Sequence, residues 1–141
     1  MKINKKKKEH YTFKELVEIM LYLRSEKGCP WDKKQTHLSL IKYLREETEE
    51  TIENIENNLL EHDLKEELGD ILLQILFHSQ IADEEKRFNI YDVIDTLARK
   101  LIRRHPHVFA GKKIKTLKEL NKAWQEIKDK EKKRPKKISI V

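Results

Sequence analysis

Hydrophobic and polar positions along this chain recur with the period of helices. Phe13, Leu16, Val17, Met20 and Leu23 are spaced by three and four residues, which places their side chains on one helix face. Thr12 stands just before this stripe and Glu15 three residues after it. In such a capping box each side chain satisfies a backbone N–H that the first turn leaves open. Gly28-Cys29-Pro30 is expected to end this first helix. Cys29-Pro30-Trp31-Asp32 reads as a loop, and either Thr36 or Ser39 can cap a second helix running to about Asn58. A third helix is expected from about Glu61 to about Glu84. A fourth, capped by Asn89, should end where His105 meets Pro106, because a pre-proline residue avoids the helical region. Thr116 and Glu119 form a second capping box opening a last helix toward about Lys130. No internal repeat and no strand-like alternation is present. The predicted class is all-α, a helical bundle.

The third helix carries Ile71-Leu72-Leu73-Gln74-Ile75-Leu76-Phe77, apolar all round except at Gln74. A helix of that kind should be buried all round. A chain of 141 residues has few places for it, so one face is expected against a second copy, in a homodimer or a dimer of dimers.

Composition fits long helices: three Gly and three Pro provide few turn residues, and a 40% charged fraction suits solvated helix faces. One cysteine excludes a disulfide framework and points to a reducing compartment, the cytoplasm. No apolar run is long enough to span a membrane, and no apolar segment follows the basic N-terminus as a signal peptide would require. The net charge of +6 is concentrated at the ends: residues 1–8 and 128–137 each contribute +5, which leaves the rest four charges negative. We therefore expect a basic N-terminal tail (1–11), one folded domain (12–130) and a basic C-terminal tail (131–141). The acidic body suits a cation better than a nucleic acid.

Carboxylates supply the candidate chemistry. The second helix carries Glu46, Glu47 and Glu50, and the third carries Glu67 and Asp70. Steps of three and four keep each set on one helix face. Glu47 lies at the edge of the stripe formed by Leu40, Leu44, Thr48 and Ile55, and Asp70 directly precedes the apolar run. A carboxylate turned inward without a partner is costly, and no lysine or arginine lies between these positions on the same faces. A short connection would make the two helices antiparallel neighbours. Hard oxygen ligands from two packed helices suit Mg²⁺ or Mn²⁺ better than zinc. Spacing alone leaves a solvated acidic surface as an equal alternative.

Three stretches together decide between these readings. They are Cys29-Pro30-Trp31-Asp32-x-x-Gln35-Thr36-His37, the acidic set with Glu67-Leu68-Gly69-Asp70, and Lys100-Leu101-x-Arg103-Arg104-His105-Pro106-His107-Val108-Phe109. Trp124-x-x-x-Lys128 is a weaker fourth. Together they resemble the MazG family of nucleotide pyrophosphohydrolases from about residue 12 to about residue 130. The acidic motif alone is shared with wider all-α NTP pyrophosphatases, whereas the first and third stretches are more specific. The resemblance implies a four-helix core assembled as a dimer and Mg²⁺-dependent cleavage of NTPs and dNTPs to NMP and pyrophosphate, in a nucleotide-pool house-cleaning role. It implies Glu47, Glu50, Glu67 and Asp70 as metal ligands, and Glu46 as the group that orients or deprotonates water. It further implies Lys100, Arg104 and Lys128 on the triphosphate, Trp124 near the nucleotide, and Trp31 and Asp32 around the base or ribose.

Plainer roles stand beside some of these. Lys100, Arg103 and Arg104 also suit the negative end of a helix dipole, Trp124 can be core, and His105 and His107 read as a helix stop. Cys29 reads as a buried small residue and not a nucleophile, with no base near it in the sequence. Two other functions compete: a dUTPase-like, dNTP-specific pyrophosphatase, and a nucleotide-sensing or nucleic-acid-tethered module without catalysis. Retention of all five acidic positions favours the enzyme over the module.

Overall fold

The computed structural model describes residues 9–133, so most of both expected basic tails lies outside the described residues. These residues form seven helices and no strand, in agreement with the all-α expectation. In chain order they are α1 (Phe13–Leu23), α2 (Pro30–Lys34), α3 (Ile41–Glu56), α4 (His62–Glu84), α5 (Ile90–Arg104), α6 (Pro106–Phe109) and α7 (Leu117–Lys132). They divide into two compact units, one ending at Ile90 and one beginning at Tyr91. No helix among the described residues is long and apolar enough to cross a membrane.

Helix ends follow local chemistry. The Thr12 hydroxyl accepts from Glu15 N at 3.2 Å while the Glu15 carboxylate accepts from Thr12 N, completing the capping box. The first helix ends at Leu23, earlier than Gly28-Cys29-Pro30, in a turn where Gly28 N donates to Ser25 O and Cys29 N to Leu23 O at 2.8 Å. Gly28 is required here by close approach, because a side chain would collide with the carbonyl oxygens of Tyr22 and Leu23. The expected loop at Cys29–Asp32 is instead the short helix α2, with Pro30 at its first positions, where a missing N–H costs nothing. Neither Thr36 nor Ser39 caps α3, whose N-cap is Leu40 with no side-chain hydrogen bond; the Thr36 hydroxyl instead accepts from Ser39 N at 3.1 Å in the turn just before the helix. Thr116 caps α7 by accepting from Glu119 N, but the Glu119 carboxylate reaches back to Lys115 N at 2.9 Å, one residue short of a full capping box. The helix α6 also replaces an expected loop, again with a proline at its start.

In the first unit α3 and α4 pack along each other as an antiparallel hairpin, and α1 packs on α4. Five residues connect the hairpin. Asn58, at φ 57°, provides the left-handed residue that ends α3, and Leu59 N closes back on Asn54 O. The core holds Met20, Leu40, Leu76, Phe77, Ile81 and Ala82, with Leu40 and Phe77 essentially inaccessible. The expectation that α4 is buried all round does not hold within the chain. Leu73 keeps 36% of its surface exposed and Ile75 41%, because the α1 and α3 sides of α4 are covered and these positions face elsewhere.

Candidate functional site

The hairpin brings the predicted carboxylates together. Glu47 and Glu50 project from α3 and Glu67 from α4, and one carboxylate oxygen from each lies within 4.8 Å of the others. Glu47 and Glu67 are half-buried and Glu50 is exposed. Asp70, one turn beyond Glu67 and half-buried, lies outside this tight group but acts on it through charge. Glu46 is exposed and also outside the group; one residue step on a helix turns it about 100° from Glu47.

The electrostatics are those of an unbalanced anionic site. One oxygen each of Glu47 and Glu67 is shielded from solvent and has no hydrogen-bond partner. Burial, followed by the charges of Asp70, Glu50 and Glu67, pushes the Glu47 carboxyl up to about 7. The Glu67 carboxyl is raised as well, first by burial and then by Glu50 and Asp70. Nothing cationic among the described residues counters either shift. Orphaned, mutually repelling carboxylates at this spacing fit a hard divalent cation, which takes oxygen ligands and restores the charge balance.

Trp31 and Asp32 sit on α2, which a buried arginine anchors. Arg24 donates from Nε to Glu84 Oε2 at 2.9 Å and from Nη1 to the carbonyls of Asp32 at 2.6 Å and Gln35 at 3.1 Å. The Trp31 ring meets Tyr43 and Phe77 edge-on, with centroids 5.6 and 6.4 Å apart, and keeps 46% of its surface exposed. Trp31 and Tyr43 thus form one wall of a concavity that also includes Lys34, Lys42 and Arg45.

Two buried polar features of this unit escaped the sequence reading. Gln74, the polar break in the apolar run, is buried with its amide oxygen unpartnered. His37 Nδ1 and His78 Nδ1 are 2.7 Å apart, with ring planes within 3° of each other. One ring must donate and the other accept, so at least one of the pair is neutral. Burial, and then the charge of His37, lowers the His78 pKa. Gln74 was visible as an interruption, whereas the histidines are 41 residues apart and carry no shared pattern.

In the second unit Arg104 is half-buried, and its guanidinium lies 5.7 Å from the Trp124 ring, which His105 also meets edge-on. Arg104, Gln125, Lys128, Glu131 and Lys132 line a concavity of about 450 Å³. Lys100 is half-buried on α5, one helical turn from Arg104, and does not line that concavity. The sequence reading missed Glu131, whose carboxylate accepts from Arg103 Nε at 2.7 Å and Arg104 Nη2 at 2.9 Å. Hydrogen bonds from Arg104 and then Arg103 hold its carboxyl down at about 2.

Comparison with known proteins places this arrangement. Residues 35–109 match the MazG nucleotide pyrophosphohydrolase domain. This segment contains the acidic set, Lys100 and Arg104, but neither Trp31 and Asp32 nor Trp124 and Lys128. The chain is 54% identical over 120 residues to the nucleoside triphosphate pyrophosphohydrolase/pyrophosphatase MazG of Thermotoga maritima, an alignment covering 85% of this chain and 45% of that protein. It is 44% identical over 117 residues to the nucleoside triphosphate pyrophosphohydrolase of Escherichia coli K12, covering 82% of this chain and 44% of that protein. The chain thus spans less than half the length of these curated relatives. The crystal structure of a mazG-related protein from Thermotoga maritima superposes with a TM-score of 0.67 at 33% identity, covering 82% of this chain and 98% of that one. With the matched segment spanning the convergent carboxylates and the same fold in a solved relative, this chain belongs to the MazG nucleotide pyrophosphohydrolase domain family.

Proposed function

We propose that the protein hydrolyses nucleoside triphosphates, NTPs and dNTPs, to nucleoside monophosphate and pyrophosphate with Mg²⁺ bound at the α3–α4 carboxylates, in a nucleotide-pool house-cleaning role. The observation carrying this reading is the convergence of Glu47, Glu50 and Glu67 around two buried carboxylate oxygens without partners. These three residues and Asp70 would hold the cation, and Mn²⁺ is a suitable substitute. A bound divalent ion neutralises phosphate oxygens and lowers the pKa of water. Glu46 orients the attacking water or takes its proton as the water oxygen bonds to the α-phosphorus, and the bond to the bridging oxygen breaks to release pyrophosphate. Lys100, Arg104 and Lys128 bind the phosphates and offset charge building on the leaving group. Trp124 supports the nucleotide, and Trp31 and Asp32 border the base or ribose.

The names of the relatives support the reaction class. We further propose that the protein acts in the cytoplasm as a homodimer or dimer of dimers. Half-exposed apolar side chains support the assembly: Leu68, Leu73 and Ile75 on α4, and Ile94, Leu97 and Leu101 on α5.

The test is product analysis with each NTP and dNTP, in Mg²⁺ and in EDTA. NMP and pyrophosphate formed only with Mg²⁺ are expected. NDP and orthophosphate would refute the reading.

A further inference from the structure

Glu131 occupies Arg104, which the proposed function assigns to phosphate, together with the neighbouring Arg103. Each of its oxygens is taken by a different guanidinium, Oε1 by Arg103 and Oε2 by Arg104. This is the fork that a phosphate group also fills, because two adjacent anionic oxygens meet planar N–H donors. The surrounding concavity is more positive than one carboxylate can balance. Lys128 and Lys132 lie one turn apart on α7 with Glu131 between them, and neither makes a salt bridge among the described residues. Arg104 Nε is buried and has no hydrogen-bond partner, so one donor of the clamped guanidinium remains unmet. An unmet buried donor is costly, and it belongs to a residue that lines the concavity.

We propose that Glu131 is an internal stand-in for phosphate that makes this pocket selective for multiply charged phosphate chains, such as pyrophosphate and the β,γ-phosphates of a triphosphate, over singly charged phosphodiesters. The proposal rests on the reading that Arg104 and Lys128 meet the substrate's phosphates. A singly charged phosphodiester can only exchange one negative charge for another. It must also displace a carboxylate tethered beside the arginines, whose effective concentration is of millimolar order. Pyrophosphate brings further charge, which Lys128 and Lys132 can take up while the arginines change partner. Glu131 therefore sets a threshold of charge for entry and keeps the arginines aligned until a ligand passes it. It acts through Arg103 and Arg104 and is a positioning residue.

The experiment is calorimetric titration of the full chain, in EDTA at low salt, with inorganic pyrophosphate and with dimethyl phosphate. EDTA keeps the carboxylate cluster free of bound metal and confines the reading to phosphate recognition. The wild type should bind pyrophosphate and show no measurable affinity for dimethyl phosphate. Glu131→Gln should bind pyrophosphate about 10-fold tighter, the change expected when one competing charged contact is removed, and should bring dimethyl phosphate into the measurable range. If Glu131→Gln loses its cooperative thermal transition, Glu131→Asp, which keeps the charge but shortens the reach, should tighten pyrophosphate by a smaller factor. A purely structural ion pair would lower the melting temperature and leave both affinities unchanged or weaker, which overturns the proposal. Absence of pyrophosphate binding to every form also overturns it. Wild-type NTP turnover is read separately: intact turnover with unaltered anion selectivity in Glu131→Gln defeats the stand-in alone, whereas no turnover of any nucleotide defeats the enzymatic reading.

Discussion

In the α3–α4 hairpin, three carboxylates are gathered with Asp70 acting on them through charge and nothing cationic among the described residues to counter them, and Glu47 is pushed up to about 7. Between α5 and α7, Arg103 and Arg104 converge on one point, but the chain supplies its own anion there and holds Glu131 down at about 2. Both regions concentrate charge of one sign, yet only the second is internally compensated. The opposite shifts record this difference. A carboxylate raised by its neighbours gains from an incoming cation, while one lowered by its neighbours must be released before another anion can bind. The first region is therefore poised for a ligand, and the second must exchange one.

Removing the unbalanced charge should have the largest effect. Glu67→Gln or Asp70→Asn is expected to lower Mg²⁺-dependent NTP turnover by about 100-fold or more, since each deletes a ligand from the cation site, while circular dichroism retains the helical signal. Rates within a few-fold of wild type for both variants would end the claim that these side chains hold the metal.

Packing under the hairpin provides the next contrast. Phe77, inaccessible in the core, should cost about 3–5 kcal/mol on substitution by alanine. Leu73, with over a third of its surface exposed, should cost distinctly less at a protein concentration low enough to favour monomers. If the proposed assembly covers α4, the Leu73→Ala penalty measured by urea unfolding should grow as protein concentration rises. A penalty independent of concentration would place the interface elsewhere.

The pH profile separates the two regions by sign. The folded-state pKa of Glu47 lies above its ordinary value of 4.5, so the folded state retains a proton that the unfolded chain has lost. This group's effect on stability is therefore unfavourable as pH rises from about 4.5 through about 7 in the absence of metal. Glu131 behaves oppositely. Its contribution is fully present above about 4.5 and is lost as pH falls toward about 2. Thermal melts in EDTA should show both limbs. Glu47→Gln should flatten the upper limb and leave the acid limb in place, and Glu131→Gln should do the reverse.

The helix caps should give the smallest effects. Thr12→Ala removes the hydroxyl of a closed capping box, and Thr116→Ala that of one displaced by a residue. Each should cost roughly 0.5–2 kcal/mol, with Thr12 at the upper end because both of its reciprocal bonds are present. Equal losses would mean that the Lys115 contact of Glu119 serves as well as the regular one.

What the sequence made legible follows the same division between local and distant chemistry. The starts of α1 and α7 were readable because a cap and its partner lie three residues apart. The carboxylate cluster was readable because helical spacing and a five-residue connection bring two short motifs together. By contrast, α2 and α6 are too short to show a period, and each begins at a proline that reads equally well as a loop signal. Lys86, at φ 58°, ends α4 in a left-handed turn with no glycine to announce it. The Arg103–Arg104–Glu131 clamp spans up to 28 residues and His37–His78 spans 41, so no periodic pattern could connect them. Leu73 and Ile75 show the limit of hydrophobicity itself: it indicates that a side chain should leave water, without indicating what covers it.

The most direct test of the central claim is a titration of Mg²⁺, with Mn²⁺ in parallel, followed by melting temperature at pH 8 in wild type, Glu47→Gln and Glu67→Gln. Saturable stabilisation of the wild type that is much reduced in both variants is predicted, because binding to the native state alone raises stability by mass action. Equal shifts in all three proteins would contradict the assignment of the cation to the α3–α4 carboxylates.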